Sequence, residues 1–269
     1  MRAWLDDRLV ASEGLVVSAD DPGLLIADGL FETMLVREGR VPFLDDHLER
    51  FEGSRRALAL PPPPTPPAEA IASILTGNGP LVGEHVLRLT FTARPTLLVT
   101  LRHLTDREHR RRLGLDLHLL TARRGECFLA RHKSLAWGAN AAQRRLHPQG
   151  RSPTFEGLWL DPAGLVLEGT STSLFARIDG VVRTAALTAP ILPGVARGRV
   201  LRQLTAEGVA CAETAFDLED LLRATEVFAT SATLPLTPVR SFDGRALTPE
   251  QPAPLWRSCL EALLSMSGT

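Results

Sequence analysis

Short runs in which apolar and polar residues alternate dominate the chain, and they predict a protein rich in strands. The first half contains one strand–turn–strand, "RAWLDDRLV", and three further strand candidates, "LFETMLV", "HVLRLTFTA" and "TLLVTLRHL". One amphipathic helix is predicted over "LDDHLERFEGSRRALAL", because Leu44, Leu48 and Phe51 fall on one stripe. The proline run from Pro61 to Pro67 excludes a helix and predicts an extended connector.

The second half mixes hairpins with helices. Hairpins are predicted about Gly164 in "EGLWLDPAGLVLEG" and about Gly180 in "SLFARIDGVVRTA". Further strands are predicted in "LDLHLLTA", "VACAETA" and "EVFATSA". Helices are predicted in "LAWGANAAQRRL", which begins just after Lys133, in "LPGVARGRVLRQLTAEG", in "LEDLLRAT" and in "PAPLWRSCLEALLSM". We therefore expect an α/β fold with a small α+β domain over residues 1–112 and a larger, strand-rich mixed α/β domain over residues 113–269.

Composition narrows the function classes. The 269 residues carry a net charge of −1, so no overall field points to nucleic acid or to an anionic membrane. The run "REHRRR" is typical of a solvated connector. The three cysteines lack CxxC spacing, which argues against a disulfide framework or a metal site. Signal-peptide, membrane-spanning, GxGxxG and Walker patterns are absent, and we expect a cytoplasmic protein.

One residue stands out by its rarity. Lys133 is the single lysine of the chain, and the other 29 basic residues are arginine. Arginine keeps its proton near neutral pH, whereas a lysine amine can lose it, attack a carbonyl and form a Schiff base. The pattern favours a chemical role for Lys133. The alternative is that an arginine-rich chain retained one lysine by chance.

A lysine with this role needs an aldehyde, and the commonest one in metabolism is pyridoxal 5′-phosphate (PLP). The PLP phosphate requires amides at a helix start and an arginine, and the pyridine nitrogen requires a carboxylate. In "LPGVAR", Val195 and Ala196 offer such amides, unless the turn is an ordinary helix entry. Glu168 in "LEGTSTSLF" either caps a turn or faces a cationic ligand. "ATSATLP" suits a second phosphate contact or is simply a Ser/Thr-rich loop.

Taken in order, these segments resemble those of a known family. "HKSLAWGAN", "LEGTSTSLF", "LPGVARGRV" and "EVFATSATLPLTPVRSFDG" are similar to motifs of the fold type IV PLP enzymes, the class IV aminotransferase family. "DDPGLLIADGLFETM" and "PFLDDHLERFEGS" resemble its N-terminal motifs. The resemblance covers nearly the whole chain. It implies a fold like that of D-amino acid aminotransferase, a homodimer, and a small amine substrate that bears a carboxylate.

The resemblance also implies a role for each matching residue. Lys133 would hold PLP and later transfer protons. Glu168 would pair with the pyridine nitrogen, and Arg50 would reach the phosphate. The other expected phosphate contacts are Val195, Ala196, Ser231 and Ala232.

Several positions depart from the family pattern. Ala196 stands where the family often has threonine, and Ser173 replaces an asparagine. The chain has no tyrosine, so the indole N–H of Trp137 is the candidate donor to the cofactor. The family loop that binds the substrate carboxylate is shortened to "FTARPT", which leaves Arg88 and Arg94 as candidates for that contact.

Two reactions are compatible with this pattern. We expect a 4-amino-4-deoxychorismate lyase, which eliminates pyruvate and gives 4-aminobenzoate for folate synthesis. The chain is compact for the family, Pro235 stands where aminotransferases usually have glutamate, and a tyrosine-lined pocket is impossible. "TPVRSFDG" is equally typical of aminotransferases, so an enzyme acting on branched-chain or D-amino acids is the alternative. A non-catalytic PLP-binding protein is more remote, because Lys133 is retained.

Overall fold

The computed structural model describes residues 1–105, 113–234 and 236–247, which form two compact units. The first unit comprises residues 1–105 together with His132–Trp137, and the second comprises the remaining described residues. The sequence placed residues 132–137 in the second domain, whereas the chain contacts assign them to the first unit. The predicted boundary at residue 112, the "REHRRR" run, Pro235 and the expected C-terminal helix lie outside the described residues.

The first unit is built on a five-stranded antiparallel sheet with the order β2-β1-β5-β4-β3. The strands confirm the predicted alternating segments, and β3 pairs with β4 along its whole length. The bounds are β1 Arg2–Leu5, β2 Arg8–Ala11, β3 Gly29–Arg37, β4 Glu84–Thr92 and β5 Leu97–His103.

Two helices pack their apolar stripes on one face of this sheet. A short helix α1 (Pro22–Leu25) precedes β3, and α2 (Leu44–Ala57) and α3 (Pro67–Gly77) follow it. Phe51 of α2 and Ile71 and Ile74 of α3 are buried in one apolar cluster with strand residues. The proline run stays extended up to residue 66. Pro67 then starts α3, where its missing N–H removes no helical hydrogen bond.

The second unit contains a larger mixed sheet, with nine strands among the described residues. The order is β11-β10-β9-β12-β13-β6-β7-β8, and β14 pairs with β13. The pairs β6–β7, β6–β13 and β10–β11 are parallel, and the others are antiparallel. The bounds are β6 Leu115–Leu119, β7 Phe155–Leu160, β8 Val166–Gly169, β9 Ser173–Ile178, β10 Val181–Thr184, β11 Cys211–Glu213, β12 Glu226–Thr230, β13 Thr237–Phe242 and β14 Arg245–Ala246.

Three α-helices and a 3₁₀ turn complete the described part of the second unit. They are the 3₁₀ turn Phe128–Arg131, α4 Gly138–Leu146, α5 Val195–Ala206 and α6 Leu218–Arg223. Asp217 caps α6, because its carboxylate accepts a hydrogen bond from the Asp220 amide. The core is dominated by strands that are buried on both faces, among them all of β7 and β12. This explains why neither strand shows the strict apolar–polar alternation of a strand that is exposed on one face.

The helix predicted just after Lys133 begins only at Gly138. Residues 134 and 135 are extended, because Ser134 forms an antiparallel bridge with Leu30 and the Leu135 amide donates to the Gly29 carbonyl. Pairing with β3 thus overrides the local helical pattern.

None of the helices in the described part of the chain has the length and apolarity needed to cross a bilayer. Among residues 1–105, 113–234 and 236–247, no cluster of three or more His, Cys, Asp or Glu side chains is arranged to hold a metal ion.

Candidate active site

The segment His132–Trp137 is fixed against the beginning of β3. The Phe31 amide donates a hydrogen bond of 2.8 Å to the Lys133 carbonyl, and the Leu135 amide donates one of 2.9 Å to the Gly29 carbonyl. A Cβ atom on Gly29 would lie 2.2 Å from the Phe91 carbonyl oxygen and 2.9 Å from the Leu135 side chain. Only glycine permits this close approach, so Gly29 of the "DGLFETM" motif sets the position of Lys133.

A second contact anchors the same segment to α2. His132 Nδ1 lies 3.1 Å from the Ser54 hydroxyl, and Ser54 is buried. Ser54 is the serine that ends the "PFLDDHLERFEGS" motif. The motif therefore holds the backbone on the N-terminal side of Lys133, and β3 holds it on the C-terminal side.

The Lys133 amine lies over aromatic rings. Its Nζ is 4.6 Å from the centroid of Phe31 and 5.1 Å from that of Trp137, and the two rings meet edge to face. Lys133 and Trp137 are both half-buried. Aromatic rings attract a cation but accept no proton, so these two ring contacts leave the chemistry of the amine intact.

Arg88 shares the Phe31 ring with Lys133. The Cζ atom of Arg88 lies 3.8 Å from the ring centroid. Burial first, and the charge of Arg102 second, lower the pKa of Arg88, while the charge of Glu32 opposes them. Within the described residues Arg88 makes no hydrogen bond or ion pair with protein. A half-buried guanidinium in this state suits an anionic ligand, and it shares the Phe31 ring with the Lys133 amine.

Arg50 on α2 pairs with a buried carboxylate of β3. Its guanidinium donates to both oxygens of Glu32, at 2.8 and 2.6 Å, and His47 Nδ1 lies 2.8 Å from the same carboxylate. Side chains alternate along a strand, so Glu32 faces α2 whereas Phe31 faces the other side of the sheet. The expected contact between Arg50 and the cofactor phosphate stays a prediction.

The cluster of Glu32, His47 and Arg50 is electrostatically tight. Burial alone would raise the pKa of Glu32, but Arg50 and His47 outweigh it and lower the pKa to about 2. Glu32 is 1 % exposed. This buried ion cluster ties β3 to α2.

Arg94 is placed at the surface. It forms an ion pair with Asp20, and the two side chains are 48 % and 71 % exposed. Of the two arginines predicted to bind substrate, Arg88 contacts the same ring as Lys133, and the role of each stays a prediction.

In the second unit, Glu168 is buried near the end of β8 with 5 % exposure. One carboxylate oxygen accepts a hydrogen bond from Arg124, and the other accepts one of 3.1 Å from the Leu192 amide. An ionised carboxylate at the end of a strand, held by fixed donors, is able to pair with a protonated ring nitrogen. Its carboxylate bonds to groups distant in sequence, and the expected pairing of Glu168 with the cofactor stays a prediction.

The start of α5 has the form of an anion cradle. Gly194 precedes the helix, and no side chain caps it, so the first amides, including those of Val195 and Ala196, meet no capping group. A Cβ atom on Gly194 would lie 2.7 Å from the Ser173 hydroxyl. The absence of a side chain here keeps the helix start open beside Ser173. Helix-start amides of this kind bind phosphate.

The loop after β12 is stabilised by hydrogen bonds between its own residues. The Ser231 amide donates to the Leu234 carbonyl at 2.9 Å, and the Leu234 amide donates to the Ser231 hydroxyl at 3.1 Å. The buried hydroxyl of Thr230, directly before Ser231, has no hydrogen-bond partner in the described structure. The predicted phosphate contacts of Ser231 and Ala232 stay predictions, and Thr230 adds an unsatisfied polar atom at the same strand end.

A buried carboxylate shapes the loop that follows Glu168. Glu156 on β7 accepts hydrogen bonds from the Ser171 amide at 2.7 Å, the Ser171 hydroxyl at 2.8 Å and the Thr170 hydroxyl at 3.1 Å. Burial raises the pKa of Glu156, and these hydrogen bonds only partly offset it. Glu156 thus holds the hydroxyl-rich turn "GTSTS" in its conformation.

Sequence reasoning missed several residues at these places. Phe31 and Glu32 lie inside the "DGLFETM" motif. They are successive residues of a predicted strand, and this signal assigns their side chains to opposite faces of the sheet. Ser54 likewise lies in a quoted motif, although nothing local links it to His132. Arg124 had no usable signal, because it is one of 29 arginines and contacts a residue 44 positions away.

Comparison with known proteins identifies the family of this chain. The profile of the family described as amino-transferase class IV matches residues 29–242. The chain is 26 % identical to the "Bifunctional aminodeoxychorismate lyase / D-amino acid transaminase" of Mycobacterium tuberculosis, over 92 % of this chain and 93 % of that protein. It is also 26 % identical to 4-amino-4-deoxychorismate lyase from Pseudomonas aeruginosa, with a TM-score of 0.83 and 98 % of each chain covered.

A further similar structure shows the fold. A hypothetical aminotransferase from Mycobacterium tuberculosis in its PLP-bound form superposes with a TM-score of 0.88, at 23 % identity, covering 99 % of this chain and 98 % of that one. The chain belongs to the class IV aminotransferase family. Its fold is that of the fold type IV PLP enzymes, and its cofactor is PLP.

The residues present fit this cofactor. The first unit offers one lysine amine over aromatic rings. The second offers a buried carboxylate and a helix start that the lack of a Cβ at Gly194 keeps open. These are the three kinds of group that the aldehyde, pyridine nitrogen and phosphate of PLP require.

Proposed function

We propose that the protein is a 4-amino-4-deoxychorismate lyase, which eliminates pyruvate from its substrate and releases 4-aminobenzoate. The observation that carries the proposal is the group of Lys133, Arg88 and Trp137 around the Phe31 ring. It offers a reactive amine, a cation for a carboxylate and two aromatic surfaces for an unsaturated substrate ring. The likeness to two proteins named as aminodeoxychorismate lyases, over at least 92 % of this chain, supports the same reading.

Each residue has a role in this proposal. PLP, when bound, supplies an electron sink for charge that develops next to the substrate nitrogen. Lys133 removes the proton from the substrate carbon that bears the amine, and a proton is returned to the departing enolpyruvyl group, which becomes pyruvate. Glu168 keeps the pyridine nitrogen protonated. Val195 and Ala196 bind the phosphate through their amides.

Arg88 gives the proposal its substrate class. A carboxylate of the substrate pairs with the Arg88 guanidinium, and the ring system lies near Phe31 and Trp137. Aromatic surfaces tolerate a flat substrate ring, whereas a branched aliphatic side chain gains less from them. This favours a cyclic substrate over a branched-chain amino acid.

A second candidate is a class IV aminotransferase. It is favoured by the name of the full-length relative, which covers D-amino acid transamination as well as the lyase reaction. The same residues serve both reactions, because both begin with proton removal next to nitrogen. They differ in whether a leaving group departs or the proton returns to the cofactor.

Product analysis separates the two candidates. The purified yellow protein is mixed with enzymatically generated aminodeoxychorismate in the absence of any 2-oxo acid, and 4-aminobenzoate and pyruvate are quantified. The lyase predicts equal amounts of both products over many turnovers, because the cofactor is regenerated in each cycle. An aminotransferase stops after one turnover per site without an acceptor. Release of no pyruvate, together with a shift of the cofactor band on addition of a D- or L-amino acid, contradicts the lyase.

Replacing Arg88 by glutamine should raise the KM for the carboxylate substrate by about 10- to 100-fold, because a charge-assisted hydrogen bond is lost. Arg88→Lys should retain part of the affinity for the substrate, since it keeps the positive charge but loses the two parallel hydrogen bonds that a guanidinium donates to a carboxylate. The matched control is Arg94→Gln, which removes a surface ion pair with Asp20 and should leave KM within about twofold. Steady-state kinetics of the three variants provide the check. A larger effect at Arg94 than at Arg88 contradicts the assignment.

A homodimer is part of the proposal. Leu24, Leu25 and Ile26 are consecutive, large and apolar, and they are 69 %, 64 % and 73 % exposed in the single chain. Such a patch is typical of a surface covered by a partner. It supports the homodimer that the family resemblance implies.

A further inference from the structure

The carboxylate of Glu168 can serve the pyridine nitrogen only if it stays ionised and correctly oriented. Glu168 is 5 % exposed, and a buried carboxylate without a positive partner is costly. The Leu192 amide supplies one hydrogen bond but no charge. A further group must therefore stabilise the ionised form, and the contacts of Glu168 identify it.

Arg124 is that group within the described contacts. Its Nη1 donates to Glu168 Oε1, and its Nη2 donates to Asn140 Oδ1 at 3.0 Å. A carboxylate has about four acceptor positions, so bonds to Arg124 and Leu192 are compatible with a further bond to a pyridine N–H. Arg124 thus fixes one oxygen of the Glu168 carboxylate.

The position of Arg124 is itself closely defined. Its amide donates to the Leu160 carbonyl at 2.9 Å, and its guanidinium lies over the Trp159 ring at 4.7 Å. Trp159 Nε1 donates to the same Asn140 oxygen at 2.8 Å, and Asn140 is buried. Asn140 therefore accepts from both Arg124 and Trp159. This geometry is specific to arginine. Its planar guanidinium stacks on the Trp159 ring and donates from two nitrogen atoms, whereas the ammonium group of lysine is neither planar nor branched.

We propose that Arg124, held by Asn140 and Trp159, is a positioning residue that keeps Glu168 ionised and aimed at the pyridine nitrogen of PLP. The inference rests on the role of Glu168 in the proposed function, but it is independent of whether the reaction is elimination or transamination. Without Arg124, Glu168 either takes up a proton or turns away, and both outcomes remove the acceptor from the cofactor. Arg124 acts through Glu168 and needs no contact with PLP itself.

A double-mutant cycle on cofactor affinity tests this directly. The dissociation constant for PLP is measured on apo-protein from the visible absorbance band for wild type, Arg124→Gln, Glu168→Gln and the double variant. Each single substitution should raise the dissociation constant by about 10- to 100-fold, as expected for the loss of a hydrogen bond to a charged group. In the Glu168→Gln background, Arg124→Gln should add less than about twofold, because the two residues act as one unit.

The neighbouring residue Arg123 and the conservative variant Arg124→Lys serve as controls. Arg123 is exposed and donates only to the Leu120 carbonyl, so Arg123→Gln should leave the PLP dissociation constant within about twofold. Arg124→Lys should lose less affinity than Arg124→Gln, because the charge is retained. Asn140→Ala should weaken PLP binding in the same direction, and it tests the network even if Arg124→Gln does not fold.

The outcomes are distinguishable. Additive effects of Arg124→Gln and Glu168→Gln overturn this inference while leaving the role of Glu168 intact. No effect of Glu168→Gln on PLP affinity overturns the role of Glu168 and this inference together. Neither result depends on product formation, so a failed lyase assay has no bearing on them.

Discussion

Replacing Lys133 by arginine is expected to reduce turnover by about 10³-fold or more, because the base and the cofactor-binding amine are lost together. Arginine keeps the positive charge over Phe31 and Trp137, so the packing is retained. It keeps its proton near neutral pH, however, and cannot act as a nucleophile. Steady-state turnover and the visible cofactor band are measured together, and both should be lost.

A matched control moves the amine without changing the composition. In the double variant Lys133→Arg with Arg131→Lys, the lysine lies two residues earlier, at an exposed position whose side chain donates to the Thr188 carbonyl. This protein should stay inactive, because the segment at residue 133, and not at 131, is fixed on β3. Full turnover in Lys133→Arg would falsify the assignment of Lys133.

Replacing Glu32 by glutamine should destabilise the protein by about 3–5 kcal/mol, because it removes the buried negative charge that pairs with both Arg50 and His47. The side chains of Arg50 and His47 are 10 % and 3 % exposed. Urea unfolding of the apo-protein, followed by tryptophan fluorescence, measures the loss of free energy without a contribution from cofactor binding.

Glu52, which lies on α2 together with Arg50 and His47, provides the control. Its pKa is also lowered to about 2, mainly by the hydrogen bond from Arg55, yet its side chain is 36 % exposed. Water screens such a pair, so Glu52→Gln should cost no more than about 1 kcal/mol. If Glu32→Gln and Glu52→Gln lost the same free energy of unfolding, this would contradict the view that burial of the ion pair determines its contribution to stability.

The Glu32 cluster also predicts a pH dependence. The folded-state pKa of Glu32, about 2, lies below its ordinary value of 4.5. Its contribution to stability is therefore present above pH 4.5 and is lost as the pH falls towards 2. Wild type should lose stability through this range more steeply than Glu32→Gln, and parallel curves for the two proteins would argue against the ionised cluster.

Much of the fold follows from local patterns. Alternation alone located β3, β4 and β5, and the turn residues at Gly164 and Gly180 located the two hairpins. These elements were predictable because one face of each strand is buried or a turn demands glycine. The start of α4 was not predictable from local sequence, because Ser134 and Leu135 pair with β3, a segment about 100 residues away in the chain.

The candidate site divides in the same way. Lys133 was identified because it is unique in composition, and Glu168 because a carboxylate ends an apolar strand. Arg50 was assigned to the cofactor phosphate by resemblance, and its bidentate pairing with Glu32 depends on β3 and α2 packing together. Arg124 and Asn140 are recognisable only once the fold brings them to Glu168 and Trp159, since nothing in their local sequence sets them apart.

The most direct test of Lys133 as the residue that binds PLP is chemical mapping. The holo-protein is reduced with borohydride and digested, and the peptide that carries the pyridoxyl group is identified by mass spectrometry. The sequence contains a single lysine, so the amino terminus is the alternative primary amine. We expect the modification on Lys133, at a stoichiometry that matches the bound cofactor. Modification of the amino terminus, or a yellow protein that yields no modified peptide, would contradict the central role of Lys133.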